Sequence, residues 1–225
     1  MPDENDKYGF IRLQRMERWL ISMLWLGGVF FTCLLIAVKL PRYWEYIASE
    51  QTPMTWLQSL MWFGCTVLAM LCLMMAYVRD GFHREAAMWL MLSCGFTFLM
   101  LDERFAIHER IRDRYLKPTG FRLLPWMEAG DYIVLLYAVA ALFCTVLIYR
   151  LFRVRRGALL WLGLAALLFA CAVGADTLDV SRMTMAEERF EQTLEECVEL
   201  AAVLSLFSSM LLMLTHYVRD RLASS

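Results

Sequence analysis

The sequence predicts an all-α integral membrane bundle of six transmembrane helices joined by short connectors. Three observations lead there. The 225 residues are 60% hydrophobic with a mean hydropathy of +0.50, whereas soluble chains are roughly 45–50% apolar. The apolar residues fall into six long runs, and a bilayer needs about 20 residues per helical crossing. Eight Trp and nine Tyr suit a chain that anchors aromatic rings at membrane–water interfaces.

Residues 1–18 form a polar tail in which Lys7, Arg12, Arg15 and Arg18 stand against Asp3, Glu4, Asp6 and Glu17, running into an interfacial helical turn. The transmembrane domain covers 19–217, with spans at about 19–38, 55–78, 86–108, 131–149, 157–177 and 195–215, followed by a tail at 218–225. The first span, Trp19 to Val38, is too long for a signal-peptide core and lacks a small-residue cleavage site. Lys39, Pro41 and Arg42 end it, and Tyr43, Trp44 and Tyr46 read as an interfacial aromatic belt. Pro53 introduces the second span, and Arg79-Asp80-Gly81 closes it before a tight polar turn through His83, Arg84 and Glu85. The third begins at Ala86, and its helix extends to about Lys117, before Pro118 and Gly120. Pro125 and Trp126 lead to the fourth, which has Asp131 at its mouth and Arg150, Arg153, Arg155 and Arg156 behind it. The fifth runs from Gly157 to Ala175, with Asp176 and Asp179 at its far end. The sixth is purely apolar only from Leu200, serines apart, so Glu199 and Glu195 or Glu196 must enter the membrane if it is to cross. Gly27-Gly28 and Gly163 are expected close-packing points.

Six crossings put both termini on one side, and the Arg150–Arg156 cluster makes that side cytoplasmic by the positive-inside rule. A bacterial inner membrane is the expected location. Membrane lipids are the expected partners; no basic tract of nucleic-acid type is present, and the sequence leaves the oligomeric state open. The seven cysteines lie in or at the ends of apolar runs without CxxC spacing and read as packing residues.

The chemistry gathers around Leu101-Asp102-Glu103 and His108-Glu109-Arg110. The apolar run from Ala86 to Leu101 is about 16 residues, short of the ~20 a crossing requires, so Asp102 and Glu103 reach the hydrocarbon edge. Ionisable groups at that depth are costly and mark functional sites. Alternating crossings bring Asp102, Glu103, His108, Glu109, Asp131, Asp176, Asp179, Glu195, Glu196 and Glu199 to one level. So many carboxylates at one depth need cations or protons between them. Three readings follow: a metal site, a network of interhelical ion pairs with Arg104, Arg110, Arg112, Arg182 and Arg189, or a proton or cation pathway.

As a metal site, the ligands would be Asp102, Glu103, His108, Glu109, Asp176, Asp179, Glu195 and Glu199, and the ion a divalent Mn, Fe, Zn, Ca or Mg. His108 and Glu109 would be the catalytic groups of a membrane-embedded enzyme acting on a lipid-like substrate at headgroup depth. A non-catalytic subunit or sensor and a cation transporter are the alternatives. On a regular helix, Asp102, Glu109 and Asp113 share one face, while His108 lies nearer that of Arg104 and Arg112. Not all four motif residues would then address one centre. The chain carries no P-loop, Gly-x-Ser-x-Gly, HExxH or dinucleotide fingerprint.

With Glu195-Glu196-x-x-Glu199 opening the last span, the Leu101-Asp102-Glu103…His108-Glu109-Arg110 pairing resembles a group of uncharacterised prokaryotic polytopic membrane proteins with "LDE…HER" and "EE..LE" segments. The resemblance covers the third to sixth spans, and Val198 stands where that pattern would have Leu. It implies a multi-pass fold and no assigned activity.

Overall fold

A computed structural model describes residues 4–49, 51–119, 131–176 and 183–224. They are all-helical apart from turns and short connectors. The helices are α1 (Glu4–Lys39), α2 (Pro53–Asp80), α3 (Arg84–Phe105), α4 (Ile107–Ile111), α5 (Asp131–Phe152), α6 (Arg156–Asp176) and α7 (Met185–Ser224).

Five helices are long and apolar enough to cross a membrane: α1, α2, α3, α6 and α7. The expected fourth span is helical as α5, but its described apolar stretch is only Leu135–Cys144. The amino-terminal segment departs from the expected short tail. It is helical from Glu4 and continuous with the first span, and on it the buried Glu17 pairs with Arg155 and with Arg219 near the end of α7.

Tertiary contacts fix the directions. The N-terminal part of α1 meets the C-terminal part of α7 through Glu17 and Arg219, and Trp25 Nε1 donates to Ser208 Oγ at 3.3 Å. Ser209 Oγ donates to Ala158 O at 2.6 Å, so α6 begins where α7 ends. Trp89 near the start of α3 packs on Phe152 at the end of α5. Gln58 near the start of α2 reaches Glu196 on α7. One end of the bundle therefore holds the starts of α1, α3 and α6 with the ends of α2, α5 and α7. The opposite end holds the acidic motif.

α7 is the central helix. Ala202, Val203, Ser205, Ser208, Ser209, Met210 and Met213 are all buried. The three serines donate to backbone carbonyls, two of them one turn back on α7 itself, which satisfies hydroxyls that would be costly to bury bare. α1 is the opposite case: Trp19, Met23, Leu26 and Phe30 point outward. Such a face contacts lipid if the chain is embedded.

The glycines sort differently from expectation. A Cβ at Gly28 would stand 2.8 Å from Leu204 Cδ1, and one at Gly64 would run into the Phe207 ring. Gly27 and Gly163 meet nothing within 4 Å. Close packing therefore belongs to Gly28 and Gly64, both facing α7.

Beyond α1, Tyr43–Tyr46 forms a 3-10 turn carrying the expected aromatic group. Lys39 Nζ lies 4.5 Å over the Tyr46 ring and Arg189 lies 4.2 Å over Trp44. Cation–π contacts thus tie the end of α1 to the start of α7.

Candidate functional site

The motif helix does not run on regularly. α3 stops at Phe105, and Ala106 adopts φ 47°, ψ 49°, a left-handed conformation. Nothing in the residue type asks for this, since the left-handed region costs a residue with a Cβ about 1–2 kcal/mol. The compensation comes from Asp102. Its Oδ1 accepts the His108 backbone N–H at 2.8 Å, and its Oδ2 lies 2.9 Å from His108 Nδ1. Ala106 cannot cap the new helix with its own methyl side chain, so Asp102, four residues back, takes an N–H of the first turn of α4.

The break overturns one geometric expectation. On an unbroken helix His108 would face away from Asp102, whereas the left-handed residue swings it back into direct contact. Asp102 is 5% exposed. Tyr137 of α5 lies beside its carboxylate and sets its ring edge-on to His108, with centroids 6.5 Å apart. A buried carboxylate on one imidazole nitrogen fixes the ring's orientation and leaves its other nitrogen as the one that can meet a substrate.

Next to this pair lies the acidic cluster. The foremost electrostatic neighbours of Glu103 are Glu199, Glu196, Asp102 and Glu109, in that order. Carboxylates from α3, α4 and α7 therefore share one level, although the two segments are some 90 residues apart in the chain. Gln58 of α2 joins them. Its Nε2 donates to Glu196 Oε2 at 3.0 Å and to Glu196 O at 3.2 Å, and its Oε1 is buried with no hydrogen-bond partner among the described residues. Glu195 and Glu199 are half-buried on the same helix. A cavity of about 410 Å³ lined by Glu109, Arg110, Asp113 and Arg114 opens outside the motif.

Of the expected site residues, the structure brings together Asp102, Glu103, His108, Glu109 and Glu199. Asp179 lies outside the described residues, and Asp176 is described only as the last residue of α6. Among the described residues, no three of His, Cys, Asp and Glu are grouped so as to hold a metal ion together.

Gln58 and Tyr137 are the members of the site that sequence reasoning missed. An amide in the apolar run of the second span was the one visible signal for Gln58. Tyr137 carries none, being an aromatic residue inside an apolar helix.

Residues 23–214 match the family described as a domain of unknown function, DUF8692. The chain belongs to that family. No curated protein and no solved structure matches it. The DUF8692 match runs from within α1 to within α7, so the buried Asp102–His108 pair, Gln58 and the α7 acids all fall inside the family's extent.

Proposed function

We propose that this is a six-crossing membrane protein whose acidic cluster binds a divalent cation, and that His108, held by Asp102, is the proton acceptor of a reaction on a lipid-like substrate at that face. The observation that carries the cation is the electrostatic surroundings of Glu103, on which Glu199, Glu196, Asp102 and Glu109, carboxylates drawn from three helices, act most strongly. Such a group persists only with positive charge or protons among its members.

The donor set narrows the ion. Zinc and non-haem iron sites draw on three or more protein ligands, with His or Cys commonly among them. Magnesium and calcium take carboxylate oxygens and accept water for the rest, magnesium with as few as one or two carboxylates. Glu103 and Glu199, without a third His, Cys, Asp or Glu grouped with them for a metal among the described residues, suit the second kind. Both Asp102 oxygens are engaged by His108, which favours Asp102 as the residue that positions the imidazole. In this reading both termini are cytoplasmic in a bacterial inner membrane, α5 is the sixth crossing, and the LDE…HER and EE..LE segments are marks of a prokaryotic family.

The direct test is elemental analysis of detergent-purified protein after dialysis against magnesium, calcium, manganese, iron and zinc in turn. Retention of a hard ion by the wild type and its loss in Glu103→Gln is the expected result. No ion above background in the wild type, under any of the five conditions, contradicts the proposal.

A second reading rests on Gln58. Its two bonds to Glu196 tie α2 to α7, as expected if the acids set helix packing in a non-catalytic subunit. Under that reading Glu103→Gln alters thermal stability alone and leaves ion content unchanged.

A further inference from the structure

At the end of the bundle opposite the acidic motif, a cavity of about 500 Å³ lies between the turn joining α2 to α3, the end of α5 and the end of α7. Its size falls within the ~300–1,000 Å³ typical of small-ligand sites. We propose that this cavity binds the phosphate of an anionic phospholipid headgroup, with Arg84 and Arg150 as the residues that grip it.

Three features argue for this. The first is uncommitted positive charge. Three arginines and two histidines line the cavity against two acids, Glu85 and Asp220. Both acids are already occupied. Glu85 takes Arg79 Nη2 at 2.6 Å and the Tyr217 hydroxyl, while Asp220 lies 3.5 Å from His216 Nε2. Arg84 and Arg150 have no carboxylate partner among the described residues. Two guanidiniums lining one cavity, with no carboxylate partner among the described residues, are a ready bidentate receptor for phosphate oxygens.

The second feature is a rigid floor. Trp89 Nε1 donates to Tyr217 Oη at 2.7 Å, and Tyr217 in turn donates to Glu85. Trp89 is fully buried and Tyr217 nearly so. This chain joins α3 to α7 at the cavity and, with Arg79, engages both oxygens of Glu85, the acid next to Arg84 in sequence.

The third feature selects a lipid over a soluble phosphate. Met88, Leu151, Val154 and Met213 complete the wall. A free phosphate ion has no use for an apolar wall. A phospholipid does, because the glycerol and first methylenes of its chains continue from the phosphate into the bilayer. Basic pockets between transmembrane helices are the usual receptors for such headgroups.

The experiment uses the full chain in detergent, with native mass spectrometry to count retained lipid after adding phosphatidylglycerol, phosphatidylcholine or inorganic phosphate. Each basic residue near a membrane surface contributes roughly 1 kcal/mol, so the Arg84→Gln/Arg150→Gln double variant should retain phosphatidylglycerol about 10- to 30-fold more weakly. Phosphatidylglycerol should be retained over phosphatidylcholine, and inorganic phosphate should not displace it. The exposed Arg42→Gln variant, at the other end of the bundle, should bind like the wild type. Equal retention of the two lipids, or an unchanged double variant, overturns the site. Displacement of phosphatidylglycerol by inorganic phosphate at comparable concentration overturns the lipid assignment. Both arginines are exposed, so the substitutions leave the core intact, and a thermal scan of each variant verifies it.

Discussion

Replacing Asp102 with Ala should undo the break at Ala106. The wild-type carboxylate is 5% exposed and accepts two hydrogen bonds from His108, at 2.8 Å from the backbone and 2.9 Å from the ring. Hydrogen bonds to a charged group contribute about 1.5–3 kcal/mol each. Losing both sets an upper limit of about 6 kcal/mol. The variant need not keep the strained conformation, and releasing Ala106 from the left-handed region recovers about 1–2 kcal/mol. The net loss should be about 2–4 kcal/mol. Asp102→Asn keeps an oxygen for the His108 amide as a neutral bond and should lose only about 1–2 kcal/mol. Unfolding in mixed micelles measures both, and amide hydrogen exchange at His108 locates the effect. Equal stability of wild type and Asp102→Ala, with unchanged protection of that amide, would refute the reasoning.

Three further outcomes are expected. Ala106→Gly should stabilise the chain by about 0.5–1 kcal/mol, since glycine adopts a positive φ without steric cost and gives back part of the gain as backbone entropy; a loss of stability would show that Ala106 is unstrained. Glu17→Gln should cost about 3–5 kcal/mol, because it removes the counter-charge of Arg155, whose Nη2 lies 2.6 Å from Glu17 Oε2 in a nearly buried pair and whose Nη1 keeps only the neutral Leu212 O and Thr215 Oγ1; the double variant Glu17→Gln/Arg155→Met should recover part of that loss in the same unfolding assay. Gly64→Ala should cost about 1–3 kcal/mol by forcing Phe207 off the α2 surface, whereas Gly27→Ala, which meets open space, should be neutral within about 0.5 kcal/mol.

The helical architecture was legible because hydropathy over runs of about 20 residues is a strong signal. The meeting of Asp102, Glu103 and Glu199 at one end of the bundle was legible for the same reason: it needs only alternation of helix direction. The Asp102–His108 contact was not. It depends on a left-handed backbone at Ala106, and alanine is the best of helix formers, so local propensity pointed the other way. The amino-terminal segment looked like a tail because Glu17 reads as one more polar residue before Trp19. Its partners Arg155 and Arg219 lie more than 130 positions away, and single-sequence periodicity carries no information at that range. The glycines illustrate the same limit: Gly27-Gly28 is visible as a pair, but which member meets α7 is decided by helix rotation.

The most direct measurement of the central claim is a double-mutant cycle between Glu103→Gln and Glu199→Gln, read as the rise in unfolding temperature on adding magnesium or calcium. A ligand at ~100 times its dissociation constant adds about 2.7 kcal/mol to the folded state. A clear upward shift is expected in the wild type, little shift in either single variant, and no further loss in the double variant, because the two carboxylates hold one ion. An equal shift in all four proteins, or none in the wild type, would contradict it.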